Sequence, residues 1–259
     1  MNKKSIIIAV VIVVLLIFIS GAVETNKPES SGEYFTFTDS EGEIVELSHK
    51  PQKTAVLFSS LAECWIEAGG EVYVTVGESV ERGLVKEETE LVDKGAGKTV
   101  DTEKLISLEP DFVICSADIA SHRDVASALK KAKIPVAMLR MDTFEDYLTI
   151  LRTLTKITGK TENYEQFGEN AKSEIEKIIS NGKRENNPKI LFVRSGSSYS
   201  SAKAKKADDN FAAKILEDFG CVNIADKAET LLDNLSAEVI LKENPQYIFV
   251  SVMGDYDNS

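Results

Sequence analysis

The sequence predicts an α/β protein of two Rossmann-like lobes, each with a mostly parallel sheet, joined by a long backbone helix, with the second lobe incomplete. Three observations predict it. Strand-like runs alternate with helical ones from Thr54 to Arg140, the pattern of a parallel sheet. Residues 144–182 then carry helical spacing without a strand signal. After Pro188 the alternation restarts in the same order.

"YFTFTDSEGEIVEL" alternates apolar and polar residues around a Ser-Glu-Gly turn, the pattern of a β-hairpin. "TAVLFSS" after Pro51 is a short strand ending in small polar residues. "LAECWIEAGG" is an amphipathic helix with glycines at its C-terminal end. "VYVTVG" is the next strand, and "GESVERG" reads as an ordinary loop. "VDTEKLIS" and "DFVICS" supply a short helix and a buried strand. "HRDVASALKKAKI" places Val125, Leu129 and Ala132 on one helical face above a basic last turn, and "PVAMLR" closes the half as a strand.

"FEDYLTILRTLTKITG" is one helix, ending at Gly159. "TENYEQFGENAKSEIEKIISNG" is a second, with apolar residues at 164, 167, 171, 175, 178 and 179. Gly168 costs it about 1 kcal/mol, too little to break a pattern of that length. "KILFVRS" then answers "TAVLFSS", "FAAKILEDFGC" answers "LAECWIEAGG", and "CVNI" is a short strand. "SAEVILKENPQYIFVS" answers "VDTEKLISLEPDFVICS". In both copies a Glu (Glu103, Glu238) stands seven positions before a Pro (Pro110, Pro245), and a good N-cap (Asp101, Ser236) stands two positions before the Glu. The match is a duplication. "YIFVSVMGDYDNS" stops where the first copy adds a helix and a strand, so the second lobe is expected to be truncated, with an open sheet edge.

The formal charge of −12 argues against nucleic acid or an anionic membrane surface as the main partner. "MNKK", an apolar run of about fifteen residues and Ser20-Gly21-Ala22 describe an export signal. A retained anchor is the alternative, although such a run spans only roughly 22 Å against the roughly 30 Å of a bilayer core. The segments expected are 1–22 as signal peptide or anchor, 23–33 as a flexible tether, 34–143 as the N-terminal lobe, 144–186 as linking helices and 187–259 as the C-terminal lobe. Cys64, Cys115 and Cys221 are an odd number without a CxxC pair, a poor disulfide framework. With only His49 and His122, a His-rich metal site is not expected.

Ligands of open parallel sheets bind beyond the strands' carboxyl ends, which here carry small hydroxyls: Ser59, Ser60, Ser116, Ser195, Ser197 and Tyr199 among them. Arg194, Lys203, Lys205 and Lys206 make the long second-lobe loop basic, which suits an anionic ligand group or simply a solvated loop. Arg140 and His122 could add charge from the other lobe, although His122 is read first as capping or flanking its helix. Trp65 is a core residue or a ligand contact. Glu63 and Asp118 lie near the same rim as N-terminal helix charges. No G-x-S-x-G, GxxxxGK[ST] or H-E-x-x-H is present, and "GAGKTV" lacks the spacing of a phosphate loop. No catalytic residue, protein-held metal or resident cofactor is therefore expected. Glu103 and Glu238 favour their helix N-termini; equivalent acids on two related lobes also form a two-point docking surface for an Arg-bearing partner.

"FTDSEGEIVEL", "AVLFSSLAECWIEAGG", "VDTEKLISLEPDFVI", "AKAKKADDNFAAKILEDFGCVNIAD" and "LSAEVILKENPQYIFV" together resemble the substrate-binding proteins of ABC importers for iron(III)-siderophores, haem and cobalamin. The resemblance runs from about Tyr34 to the last residue. It implies two α/β lobes on a rigid backbone helix, a monomeric, exported, membrane-associated carrier without enzymatic turnover, and a small metal chelate as cargo, with iron(III)-siderophore favoured over haem or cobalamin. It implies that Glu103 and Glu238 meet arginines of an ABC permease, and that the ligand lies among Ser59, Ser60, Trp65, Ser116, Arg140, Arg194, Ser197, Tyr199, Lys203 and Lys205. Ala22 stands where a lipid-modified Cys is usual in the family, which puts lipid anchoring in doubt, and the family continues past residue 259. A chelatase-like enzyme and an exported sensor or adhesion module are the alternatives.

Overall fold

The computed structural model describes residues 34–93, 99–183, 185–195, 202–233 and 235–252. The export segment, the tether and the whole "GSSYSS" stretch (196–201), including Ser197 and Tyr199, lie outside the described residues. Among the described residues no helix is long and apolar enough to cross a membrane.

The hairpin forms as its alternation predicts: β1 (Phe35–Thr38) pairs antiparallel with β2 (Ile44–Leu47), Phe35 opposite Leu47. Its turn is fixed by Asp39, whose Oδ1 accepts the Glu41 and Glu43 N–H groups, both at 2.9 Å. Five strands make the first sheet: β3 (Thr54–Val56), β4 (Val72–Thr75), β5 (Glu90–Leu91), β6 (Phe112–Ser116) and β7 (Val136–Leu139). Their spatial order is β5-β4-β3-β6-β7, and every pairing is parallel. β6 is buried at all five positions, as a strand covered on both faces must be. Phe112 and Ile114 point into one core with Leu61, Trp65 and Leu151, while Val113 and Cys115 enter the other with Leu105, Val125 and Leu129.

The helices around this sheet are α1 (Ser59–Glu67), α2 (Gly77–Glu81), α3 (Thr102–Ser107), α4 (Ala120–Lys131) and α5 (Phe144–Thr158). α2 corrects the sequence reading of "GESVERG" as loop: it is a single short turn, too brief to show periodicity. α5 starts with a Thr143/Asp146 capping box and ends at Gly159 with φ 72°. Its Ile150, Leu151, Leu154 and Ile157 complete the first core, so by packing α5 belongs to the first lobe. The link proper is the next helix, a π-turn segment (Tyr164–Glu169) running into α6 (Asn170–Gly182). A Cβ on Gly182 would lie 2.5 Å from the Phe219 ring, so glycine is what lets the end of α6 seat against the second lobe.

The second sheet contains β8 (Lys189–Ser195), β9 (Lys203–Ala204), β10 (Val222–Asn223) and β11 (Tyr247–Val252). The order β10-β8-β11 is parallel, with β9 antiparallel to the later half of β8. In each lobe the sheet's first strand in chain order lies between a following strand and the fourth (β4-β3-β6 and β10-β8-β11), which is the duplication expressed as topology. α7 (Phe211–Asp218), α8 (Thr230–Asp233) and α9 (Ala237–Glu243) accompany it, over a small core of Leu191, Val193, Ala204, Ile224, Ala225 and Leu231.

Candidate functional site

The carboxyl ends of β3, β4, β6 and β7 carry one set of polar side chains, and the β8–β9 pairing, with Arg194 opposite Lys203, carries another. At the first end, Arg82, just past α2, gathers three acceptors. Its Nη1 donates to Ser59 Oγ (3.1 Å) and Ser60 Oγ (3.3 Å), and its Nη2 to Glu63 Oε2 (2.6 Å). The loop carrying it is braced by Thr75, whose hydroxyl bonds Val56 O and Ser79 Oγ at 2.8 Å each, and by Gly77 N–H on Asp93 Oδ2.

At the end of β6, Ser116 Oγ accepts the Asp118 N–H (3.2 Å), and Asp118 Oδ1 accepts Arg140 Nε (3.0 Å). The hairpin fixes Arg140 from the other side. Asp39 Oδ2 accepts the Met138 N–H, and Ser40 Oγ accepts the Arg140 N–H. The "TDS" turn read in the sequence is therefore what positions the end of β7.

Asp142 precedes the α5 cap, its N–H donating to Asp146 Oδ2 at 3.1 Å. Burial, with Asp118 adding to it, holds its carboxyl above the usual carboxylate range, while the charges of Lys205 and Arg140 pull it back. Lys205 of the second lobe thus acts on the same carboxylate as Arg140 of the first. Its backbone is fixed by Phe192 O and Asn223 Nδ2, and its ammonium lies 3.7 Å from Asp209 Oδ2. Asn210 follows, capping α7 through the Ala212 and Ala213 N–H groups.

Beside this polar rim a cavity of about 700 Å³ opens against the linking helix. Phe144 stacks on Tyr147 with ring centroids 5.7 Å apart, and Phe211 of the second lobe meets Phe144 edge-on at 6.2 Å. Tyr147 donates its hydroxyl to Glu67 Oε2 (3.0 Å), and burial raises the Glu67 carboxyl. The arrangement has aromatic walls and cations from both lobes, each cation already set against a carboxylate. It can hold an anionic, oxygen-rich or flat aromatic molecule by displacing those carboxylates. Among the described residues no cluster of three His, Cys, Asp or Glu side chains could hold a metal ion.

The site residues read from the sequence divide. Ser60, Arg140 and Lys205 lie at the rim, and Arg194 and Lys203 pair across β8 and β9 in the second lobe. Trp65 is corrected: it is 2% exposed, packs on Phe112 and donates Nε1–H to Glu71 O, because its face of α1 turns to the sheet. Ser59 and Ser116 are also corrected from open ligand contacts, being 1% and 2% exposed with their hydroxyls accepting internal bonds. His122 is neither an exposed charge nor a cap, but fully buried. Arg82 and Asp142 were missed. The signal for Arg82 was a cation in the loop that follows a strand's carboxyl end. Glu103 and Glu238 are both exposed in first turns whose N-caps, Asp101 and Ser236, accept the Lys104 and Val239 N–H groups.

Residues 55–259 match the family model described as Periplasmic binding protein. Solved structures share the fold. An ABC transporter substrate-binding protein from Listeria monocytogenes EGD-e superposes with a TM-score of 0.67 at 15% identity, over 81% of this chain and 78% of that one. SirA of Staphylococcus aureus, complexed with staphyloferrin B, gives 0.63 at 18% identity, over 85% and 77%. The heme binding protein HmuT gives 0.62 at 20% identity, over 88% and 75%. No curated protein matches the sequence.

Proposed function

The chain belongs to the periplasmic binding protein family, and from that premise we propose that it is the extracytoplasmic substrate-binding component of an ABC importer. It captures an iron(III)-siderophore or similar metal chelate between its lobes and releases it to a permease, without chemical turnover. The observation that carries this reading is geometric: Arg140 at the carboxyl end of β7 stands on Asp118 at 3.0 Å, and Lys205 just past β9 stands on Asp209 at 3.7 Å, so each lobe offers a cation already set against a carboxylate. An anionic chelate entering there replaces Asp118 as the partner of Arg140 and Asp209 as the partner of Lys205, and draws the lobes onto itself. Two proteins of the same fold, SirA complexed with staphyloferrin B and the heme binding protein HmuT, support a chelate or macrocycle as cargo. The aromatic cavity beside the rim favours haem or a corrinoid as the second reading. The metal is cargo, and no resident cofactor is invoked.

Isothermal titration with ferric citrate, ferric staphyloferrin B, haem and cobalamin tests capture. Saturable binding of one of them is expected, and Arg140→Ala or Lys205→Ala should each weaken it by about tenfold or more, the loss of one charge-assisted hydrogen bond. No saturable binding by any of the four would overturn the reading.

Glu103 and Glu238 are proposed as the contacts to the permease. Their exposure at the starts of two equivalent helices supports this. Glu103→Ala with Glu238→Ala should abolish uptake into cells while leaving affinity for the cargo unchanged; weakened affinity would instead assign the acids to the crevice. The protein acts as an exported monomer, held near the membrane by its N-terminal segment or by the permease.

A further inference from the structure

His122 lies at the start of α4, beneath the wall that carries Arg140. It is fully buried, and its Nδ1 accepts the Ser116 N–H at 3.0 Å. An imidazole that accepts at Nδ1 carries its single proton on Nε2, and that Nε2 has no hydrogen-bond partner. The connection continues outward. Ser116 Oγ accepts the Asp118 N–H, and Asp118 accepts Arg140. A buried imidazole and a rim arginine are thus joined through one turn of three residues.

We propose that His122 is a positioning residue: its neutral ring holds the Ser116–Asp118 turn that aims Arg140 into the crevice, so that protonation of the ring loosens the turn and weakens retention of the cargo. The inference rests on the capture reading given above. A second proton can be added only at Nδ1, where the Ser116 N–H already points, so the bond must break. The resulting cation is buried and its Nε2 lacks an acceptor, a costly state. Burial pushes His122 below its ordinary value of 6.5 and outweighs the Ser116 backbone, which acts in the opposite direction. A depressed folded-state value means that the stabilisation is fully present above about pH 6.5 and is lost as the pH falls through the folded value.

The ionisable groups on the surrounding elements do not offset that charge. Asp118 is engaged by Arg140, and Arg123 by Glu41 and Ala117 O. Asp124 is exposed on α4, as are Glu103 and Lys104 on α3, the helix packed against it. Cys115 on β6 is a thiol that burial pushes up to about 12.

The test compares wild type with His122→Asn, whose Oδ1 replaces Nδ1 as an acceptor but does not titrate, and with His122→Phe, which removes the acceptor. Amide NMR of the full chain between about pH 7.5 and 5 should show the Ser116 cross-peak moving with the imidazole titration in wild type and staying put in H122N. Ferric citrate is the binding probe. Wild type should lose at least about tenfold more affinity than H122N over the same interval, the comparison cancelling protonation of the citrate itself, and H122F should be weak throughout. A Ser116 amide that ignores the titration, or an H122N profile identical to wild type, overturns the proposal. If ferric citrate binds neither protein at any pH, it is capture of that chelate that fails, and the Ser116 titration alone decides the role of His122.

Discussion

β6 and β11 occupy the same place in the two lobes, fourth in the chain order of their sheets and next to the first strand, yet they live in opposite surroundings. β6 lies between β3 and β7 and is buried at every position. β11 pairs, among the described residues, with β8 alone, and Tyr247, Ile248 and Val250 are 59%, 54% and 58% exposed. The sequences "DFVICS" and "QYIFVS" are close in character. What differs is whether helices and a further strand cover them. The hydrophobic effect stabilises only surface that is removed from water, and among the described residues β6 buries its apolar side chains on both faces whereas β11 leaves much of its own open.

The sharpest way to break this contrast is a matched pair of core substitutions. Phe112→Ala should destabilise the first lobe by about 3–5 kcal/mol, as expected for a fully buried aromatic, whereas Phe249→Ala should cost about 0.5 kcal/mol, as at a surface site. Urea unfolding curves of the full chain would show it; equal losses would mean that β11 is covered in solution. The thiols give a second view. Cys64 and Cys115 are buried with their thiols raised by burial, and Cys221 in the second lobe is partly exposed. Cys221 should react with a thiol reagent in the native protein, the other two on the order of a thousandfold more slowly. Uniform slow labelling would remove the difference between the lobes. The smallest effect lies at the caps. Asp101→Ala should cost about 1 kcal/mol and Ser236→Ala about half of that, since the bonds are 3.1 and 3.4 Å long. Matching thermal shifts for the two would show that the second helix is as well anchored as the first.

Much of the architecture was legible because it is written in local periodicity. The helix over 144–158 and its Gly159 stop, the hairpin, and the two strand-helix repeats all follow from side-chain spacing and cap residues. The site was legible only in part. The crevice cations Arg140 and Lys205 are identifiable as charges beyond strand ends. Which hydroxyls remain open is not, because Ser59 and Ser116 are consumed by Arg82 and by the Asp118 N–H, partners 23 and 2 residues away that sequence does not rank. Trp65 faced the sheet for a similar reason: the rotation of α1 about its axis is set by packing against Phe112 and by Gly70, where a Cβ would collide with the indole at 2.1 Å.

The order of elements, their duplication and the acidic corners at Glu103 and Glu238 were determined by the sequence itself, since each depends on contacts within a few residues. Tertiary structure alone decided that Arg82 joins the rim, that Arg140 is held between Asp118 and Ser40, that a glycine-tight helix end seats on the second lobe, and that His122 lies buried with its Nδ1 on the Ser116 N–H. These are contacts between segments far apart in the chain or beneath its surface. Their occurrence depends on how whole faces fit together and on which polar groups find a partner once water is excluded.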